Sequence, residues 1–461
     1  MKHNPNRFAS LGASLLNGLL WLLLLVLFVQ CGVFMGMYAS MRRSSAEMPF
    51  DMRMLSASSS ELHRALDPEL LAPEFIAVQE DTECYAVFHS QAVVEELYAE
   101  MSGCLFAALS GMPEAVSAAE WQRAMEGTFV YARYKEELPY QVVCAFAGAY
   151  EDSDVSVRQA EEYTGVREVL LCAGQDGDLS ALLVRGARGV YRFPLESEKK
   201  AGDFTVYPNM YADSFCRTVL RDRGDLCVPE VEDSLPTRQI YASGGVTTLL
   251  TTNQDFLRFL NFNPDKLNYH VEQDSTYVYV ESHGVLRAGS DEMIYQATES
   301  GGIDIEGMGG RGDADIYAYL RVASYLISRL GSMSYQYIGG DAGLYLDSVR
   351  ADGESITLEF HFRCDNIELA DTDGSHGMTL RFTGDRLTEI RYRMMIIRRT
   401  LEESRVMLQS WYKRMLGADE MSDVRLVYAA NGSTYSLTAA WAVVDTPDGK
   451  EGGDSPWDGQ D

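Results

Sequence analysis

The chain opens on an apolar block. The 34 residues from Phe8 to Met41 carry no charge and centre on Leu19-Leu20-Trp21-Leu22-Leu23-Leu24-Leu25-Val26-Leu27-Phe28-Val29. A helix of about 20 apolar residues crosses a bilayer, so one crossing fits here. A polar strip follows, through Ser44-Ser45, Ser56-Ala57-Ser58-Ser59-Ser60 and Pro68, with the composition of a tether. Patterned sequence begins near Ile76. From Gln91 to Leu109 the apolar positions Val94, Leu97, Met101, Leu105 and Leu109 recur every three or four residues, which predicts a helix stopped by Gly111. A second helix is predicted from Ser117, with Glu120 completing a capping box and Trp121 on its inner side.

The period then shortens to that of strands: Thr128 to Tyr134, Tyr140-Gln141-Val142-Val143, Val169 to Cys172, and Ala181 to Val184 turning through Gly186 and Gly189 into Val190 to Phe193. Prolines and acids cluster between Pro229 and Pro236. A helix over about Asn253 to Leu260 opens the next stretch, followed by a meander of Thr276 to Glu281, Val285 to Arg287 and Met293 to Tyr295. The glycine-rich loop Gly301 to Gly312 leads into a helix around Asp315 to Leu330, closed by Gly331.

The last patterned stretch is mostly sheet, with strands near Leu344 to Leu346, Ile356 to Phe362, Met378 to Phe382 and Leu387 to Ile397. Hairpin turns are expected at Gly384-Asp385 and Asn431-Gly432. Thr400 with Glu403 forms a capping box for a predicted helix carrying Val406, Met407, Trp411 and Met415.

The pattern defines an α+β fold: a single N-terminal transmembrane helix followed by successive mixed helix and antiparallel-sheet modules. The expected divisions are a cytoplasmic tip and anchor at 1–43, a tether at 44–75, modules at 76–235, 236–332 and 333–445 (the last β-rich with one helix), and a disordered acidic tail at 446–461.

Three features decide how the apolar block is read. It is longer than a secretory signal's apolar core, and Gly36-Met37-Tyr38-Ala39-Ser40 sets bulky residues where a peptidase requires small ones. Gln30 before Cys31 likewise departs from a lipoprotein site. The block is therefore an uncleaved anchor. Lys2 and Arg7 on one side balance Arg42 and Arg43 on the other, so charge does not orient it. The short cationic start has the form of a signal anchor, which places the N-terminus in the cytoplasm and the bulk outside.

Of eight cysteines, seven lie beyond the anchor (Cys84, Cys104, Cys144, Cys172, Cys216, Cys227 and Cys364), without a Cys-x-x-Cys pair. Several sit in apolar strings, where a thiol behaves as a small hydrophobe. Only Cys216 and Cys227 are placed to pair, and their spacing leaves both states open. Free thiols outside the cell suit an organism living without much oxygen.

Four of the 39 basic residues and none of the 68 acidic ones precede Ser44, leaving 35 against 68, a net of −33. That sign repels phosphate backbones and anionic headgroups, so no nucleic-acid partner is expected. No Gly-x-Ser-x-Gly, His-Glu-x-x-His or Walker motif occurs, and no cofactor is expected. The one dense group of possible ligands is His361, Cys364, Asp365 and His376. In a strand His361 and Cys364 face opposite ways, so a satisfied surface histidine explains the first better than a metal does. Asp371-Thr372-Asp373-Gly374 lacks the distant glutamate of a calcium loop and is read as a turn. Arg311-Gly312-Asp313 is read as part of a loop leading into a helix cap.

Within the anchor, Gly32 and Gly36 form a G-x-x-x-G and Ser14 with Gly18 a small-x-x-x-small pair, spacings that let helix backbones approach closely. Asn17 and Gln30 add amides that seek partners in hydrocarbon. Glycine is also common in isolated membrane helices, so the motif is compatible with a plain anchor as well.

The order of anchor, helix pair with Trp121, Tyr134-Lys135-Glu136-Glu137-Leu138-Pro139, Phe259-Leu260-Asn261-Phe262-Asn263-Pro264 and Val278-Tyr279-Val280-Glu281-Ser282-His283-Gly284-Val285-Leu286-Arg287 resembles the YycH/YycI type of membrane-anchored regulator. These accompany the WalK/WalR two-component system of Gram-positive bacteria. The resemblance runs from the anchor to about residue 445. It implies a non-catalytic extracytoplasmic protein that contacts a sensor histidine kinase and a sister protein of the same type. The glycine loop and the acidic tail stand outside the resemblance. A different expectation, from the 26 tyrosines, is an anchored wall-glycan binder or hydrolase, which would need an acid pair about 5–9.5 Å apart in an aromatic groove.

Overall fold

Strand-forming runs, most of them facing partners through short turns, dominate the computed structural model. It describes residue 66 and residues 70–148, 165–174, 176–244, 254–263, 268–305, 316–338, 342–370, 377–419, 422–430 and 436–444. The chain divides into two units, Met1–Met54 and Leu55–Asp461, and every described residue belongs to the second. The anchor, with Ser14, Asn17, Gly18, Gln30, Gly32 and Gly36, lies outside the described residues. Among the described residues no helix is long and apolar enough to cross a membrane.

The first sheet is built from β1 Phe75–Glu80, β2 Glu83–Val87, β3 Glu114–Val116, β4 Phe129–Leu138, β5 Val166–Ala173, β6 Leu179–Gly186, β7 Gly189–Pro194, β8 Phe215–Asp222 and β9 Cys227–Val231. Its order is β3-β7-β6-β5-β4-β1-β2-β8-β9, antiparallel throughout. The second sheet takes β10 Pro236–Gly244, β11 Asn268–Val271, β12 Tyr277–Glu281, β13 Gly284–Ala288, β14 Glu292–Ala297, β15 Ile303–Asp304, β16 Ala342–Asp352, β17 Ser355–Cys364, β18 Ile367–Leu369, β19 Met378–Thr383, β20 Arg386–Arg393, β21 Met395–Arg405, β22 Val424–Ala430 and β23 Ser436–Val443. It draws on both stretches read above as separate modules, 236–332 and 333–445, through the β14–β20 pairing. The parallel pair β18–β22 is its exception to antiparallel order.

The described helices are α1 Gln91–Leu109, α2 Ala118–Ala124, α3 Tyr140–Phe146, α4 Gly202–Thr205, α5 Tyr207–Met210, α6 Gln254–Phe259, α7 Ile316–Ile338 and α8 Gln409–Leu416. All five predicted core positions of α1 are buried, as is Trp121 on α2. A continuous core joins the two sheets: Tyr131 packs on Phe75, Phe75 stacks on Phe88 at 4.8 Å, and Phe88 meets the edge of Trp441 on β23.

Four local expectations are corrected. Tyr140 to Val143 forms part of α3, not a strand: Pro139 stands at its N-cap, and Tyr140 and Val142 to Phe146 are buried on all sides of the helix, so no strand-like alternation of burial is left. The Ser117 helix starts as expected, but no side-chain cap bond forms, and Glu120 instead accepts from Arg192 at 3.1 Å. Gly331 does not close α7, which continues to Ile338, just before Gly339-Gly340; one helical glycine costs only about 1 kcal/mol. Thr400 does not cap a helix. It lies inside β21, where its hydroxyl donates to Gln239 O at 2.9 Å and accepts from Glu402 N, filling a bulge opposite β10. The helix begins only at Gln409.

All seven cysteines beyond the anchor are free, Cys216 and Cys227 included. Burial pushes the thiols of Cys84, Cys144, Cys172 and Cys216 up to about 12. These four are therefore expected to resist a thiol-specific disulfide reagent at pH 8 and to react promptly once guanidinium unfolds the chain. Rapid native labelling at any of them, mapped by mass spectrometry, would contradict this burial.

Candidate functional site

Charged side chains inside a sheet core are costly, so those buried here identify the place where the fold departs from apolar packing. Apart from Glu168 with Arg185 inside the first sheet and Lys413 on α8, most gather where β4 of the first sheet meets β16, β17, β18 and β22 of the second. Strand alternation sends Arg133 and Lys135 to the same side of β4, and Asp347, His361 and Glu368 converge on Lys135 from three strands of the other sheet. Lys135 Nζ lies 3.0 Å from Asp347 Oδ2, 2.7 Å from Glu368 Oε1 and 3.2 Å from His361 Nδ1. His361 Nδ1 also lies 2.6 Å from Glu368 Oε1.

Asp347, His361 and Glu368 each offer a ligand atom, all within 4.8 Å of one another, which is a donor set a divalent ion would accept. The Lys135 ammonium already stands among these atoms and supplies the positive charge. The arrangement is an ion-pair cluster with its own internal cation. Burial alone would raise the carboxyl of Glu368, but the hydrogen bond from His361 and the charge of Lys135 outweigh it and hold the group at about 2.

A second cluster adjoins the first. Arg133, 1 % exposed, binds Glu74 at 2.9 Å and Asp423 at 3.0 Å, donates to Cys227 O and lies over the Phe75 ring. Burial acts to lower its pKa, but Glu74 and Asp423 push it well above the usual value, so the guanidinium stays charged. Arg425 reaches Glu74 at 3.4 Å and donates to Lys135 O. Arg363 and Asn366 donate to the carbonyls of Ala72, Pro73 and Glu74, fastening the entry of β1 to the second sheet. The cavity these side chains line encloses about 20 Å³, room for a water molecule.

Of the ligand group read from sequence, only His361 belongs to this site, and it is an interior member of the cluster, not a surface histidine. Cys364 faces the other way into the core, and Asp365 pairs with Arg399 at 2.7 Å. His376, Asp371 to Gly374 and Arg311 to Asp313 lie outside the described residues, as does the loop beyond Ile305. Lys135 escaped sequence reading as the partner of Asp347 and Glu368 because it lies more than 200 residues before either of them along the chain.

Two expected results follow from this geometry. Lys135→Met should lower stability by about 2–3 kcal/mol in a denaturant titration, since it strands two acids, although Lys135 is 13 % exposed and solvent offsets part of the loss. An unchanged midpoint would remove Lys135 from the clamp. Glu368 has a folded pKa of about 2 against 4.5 for the free group, so its contribution, about 3 kcal/mol, is fully present above pH 4.5 and is lost as pH falls towards 2. Glu368→Gln should flatten the stability profile over that window; an identical profile would show that Glu368 carries none of it.

No protein-family model and no curated protein matches the chain. Among solved structures, YycH from Bacillus subtilis is similar, with a TM-score of 0.56 at 12% identity over 83% of this chain and 96% of that one. The chain therefore has a YycH-like fold. An uncharacterized protein from Eubacterium rectale aligns at 10% identity over 50% of this chain and 84% of that one, with a TM-score of 0.29 that carries no argument.

Proposed function

We propose that the protein is a membrane-anchored extracytoplasmic regulator that acts by binding a sensor histidine kinase of the WalK type, without catalysis of its own. The observation that carries this reading is the YycH-like fold, which extends over 83% of the chain. The polar cluster between the sheets supports it from another side. Its charges pair with one another around a cavity that holds no more than a water molecule, as befits an interior clamp that fixes one sheet against the other.

In this reading residues 8–41 cross the membrane once, the N-terminus is cytoplasmic, and 44–75 is the tether. Gly32 and Gly36, with Ser14 and Gly18, let a kinase helix or a sister YycH/YycI-like protein approach closely, and Asn17 and Gln30 supply amides that seek hydrogen-bonding partners. Regulation then requires that these contacts differ in free energy between the kinase's two signalling states.

The test is in-cell crosslinking from a photoreactive residue replacing Val33. Recovery of a sensor kinase or a single-pass sister protein, abolished by Gly32→Ile with Gly36→Ile, is the expected result. Recovery of lipid alone, with kinase output unchanged on deleting the protein, would overturn the proposal.

A further inference from the structure

Helix α8 has its amphipathic faces reversed. Gln409, fully buried, accepts from Val231 N at 2.8 Å, and Lys413 is also buried, one turn further on. Leu408, Trp411 and Met415, spaced as one stripe, are 42 %, 46 % and 57 % exposed, and Met407 and Leu416 extend the patch. An apolar stripe turned outwards on a helix that buries its polar side marks a surface awaiting cover.

The local charge is as unusual as the apolar face. Residues 405–416 carry Arg405, Lys413 and Arg414 and no acid, in a chain with 68 acidic and 39 basic residues. The chain beyond β23 starts next to this stretch: Trp441 Nε1 donates to Met407 O at 2.8 Å, and Val444 N donates to Asp423 O at 3.0 Å. Residues 446–461 continue from there with five acids, Asp448, Glu451, Asp454, Asp458 and Asp461, a single base, and Trp457 as their one large apolar side chain.

We infer that residues 446–461 fold back on α8, with Trp457 seated on Leu408, Trp411 and Met415 and the flanking Asp454 and Asp458 facing Arg414 and Arg405. The thirteen residues from Val444 to Trp457 have a root-mean-square span of about 20 Å as a flexible chain, which suits a site beside their point of departure. Tethering supplies an effective concentration in the millimolar range, so even a weak contact is occupied. An anionic lipid surface is the less favourable cover, because the rest of the molecule beyond Arg43 is strongly acidic and repels it.

The experiment places p-benzoylphenylalanine at Met415, an exposed position, in the full chain held in detergent micelles, and maps the adducts by peptide mass spectrometry. The expected product is an intramolecular adduct to the peptide Glu451–Asp461. Its yield should be independent of protein concentration and should fall about tenfold with Trp457→Ser, which leaves the tether intact but removes the apolar anchor. Adducts to detergent or added lipid, to a second copy, or to other parts of the chain would overturn the inference. So would an adduct yield that ignores Trp457→Ser, or the absence of any adduct.

Discussion

Glu168→Gln is expected to lower the stability of the folded chain by about 3–5 kcal/mol, the loss typical of removing one partner from a fully buried ion pair. Glu168 is wholly buried on β5 and Arg185 almost so on β6, and the two stand directly opposite in the β5–β6 register. The carboxylate accepts from Arg185 Nε, from Tyr131 Oη and from Cys227 N at 2.7 Å. The guanidinium also reaches Asp222 at 2.7 Å and covers the Trp121 ring at 4.3 Å. With glutamine in place of the acid, Arg185 keeps only Asp222, at the edge of the site, to balance a charge sealed under Trp121.

A loss of this size is a large share of a total stability of about 5–15 kcal/mol. The measurement is denaturant unfolding of the wild type, Glu168→Gln, and the double variant Glu168→Leu with Arg185→Met. Removing both charges should restore most of the loss, since two apolar groups of similar volume need no partner. If the double variant were as unstable as the single one, the damage would lie in shape and packing, and the electrostatic account would fail.

This pair also shows how much of the site sequence could have disclosed. Arg185 is the lone charge of β6 and Glu168 follows Arg167 at the start of β5, but the predicted strands Val169 to Cys172 and Ala181 to Val184 each stop one residue short of the pair, whose register is set by the β5–β6 turn. Opposite charges 17 residues apart on consecutive strands are still a local signal. The Lys135 cluster is not, because its members come from β4, β16, β17 and β18, and no periodicity specifies which sheet packs on which.

The same division runs through the fold. Helix α1 was legible residue by residue, since a stripe recurring every three or four positions over 19 residues fits no strand. Tyr140 to Val143 was too short for its period to speak, and tertiary burial made it helical. Thr400 with Glu403 satisfied a capping pattern, yet the chance to pair eight residues of β21 with β10 outweighed a cap. That strand displaced the helix start to Gln409 and turned Trp411 and Met415 outwards.

Arg133→Met carries the second large effect, again about 3–5 kcal/mol, but its consequence is expected to differ in kind. Glu168 and Arg185 sit within one sheet, whereas Arg133 joins both: its partners are Glu74 at the entry to β1, Cys227 O on β9 and Asp423 at the start of β22. Without it Asp423, 4 % exposed, loses its close cation and Arg425 remains 4.0 Å away. Glu74 retains Arg425 at 3.4 Å, so the stranded charge is mainly Asp423. Lysine in place of Arg133 preserves the charge but lacks the planar fork that reaches both acids at once, and should recover only part of the loss. Hydrogen exchange separates this linking role from simple destabilisation. Faster exchange in Arg133→Met should appear together at residues 74–78 and 424–428, on opposite sides of the joint between the sheets, before global unfolding. If exchange quickened in the first sheet alone, Arg133 would be a core residue of that sheet, and the clamp between the two would have to reside in Lys135 and Arg363.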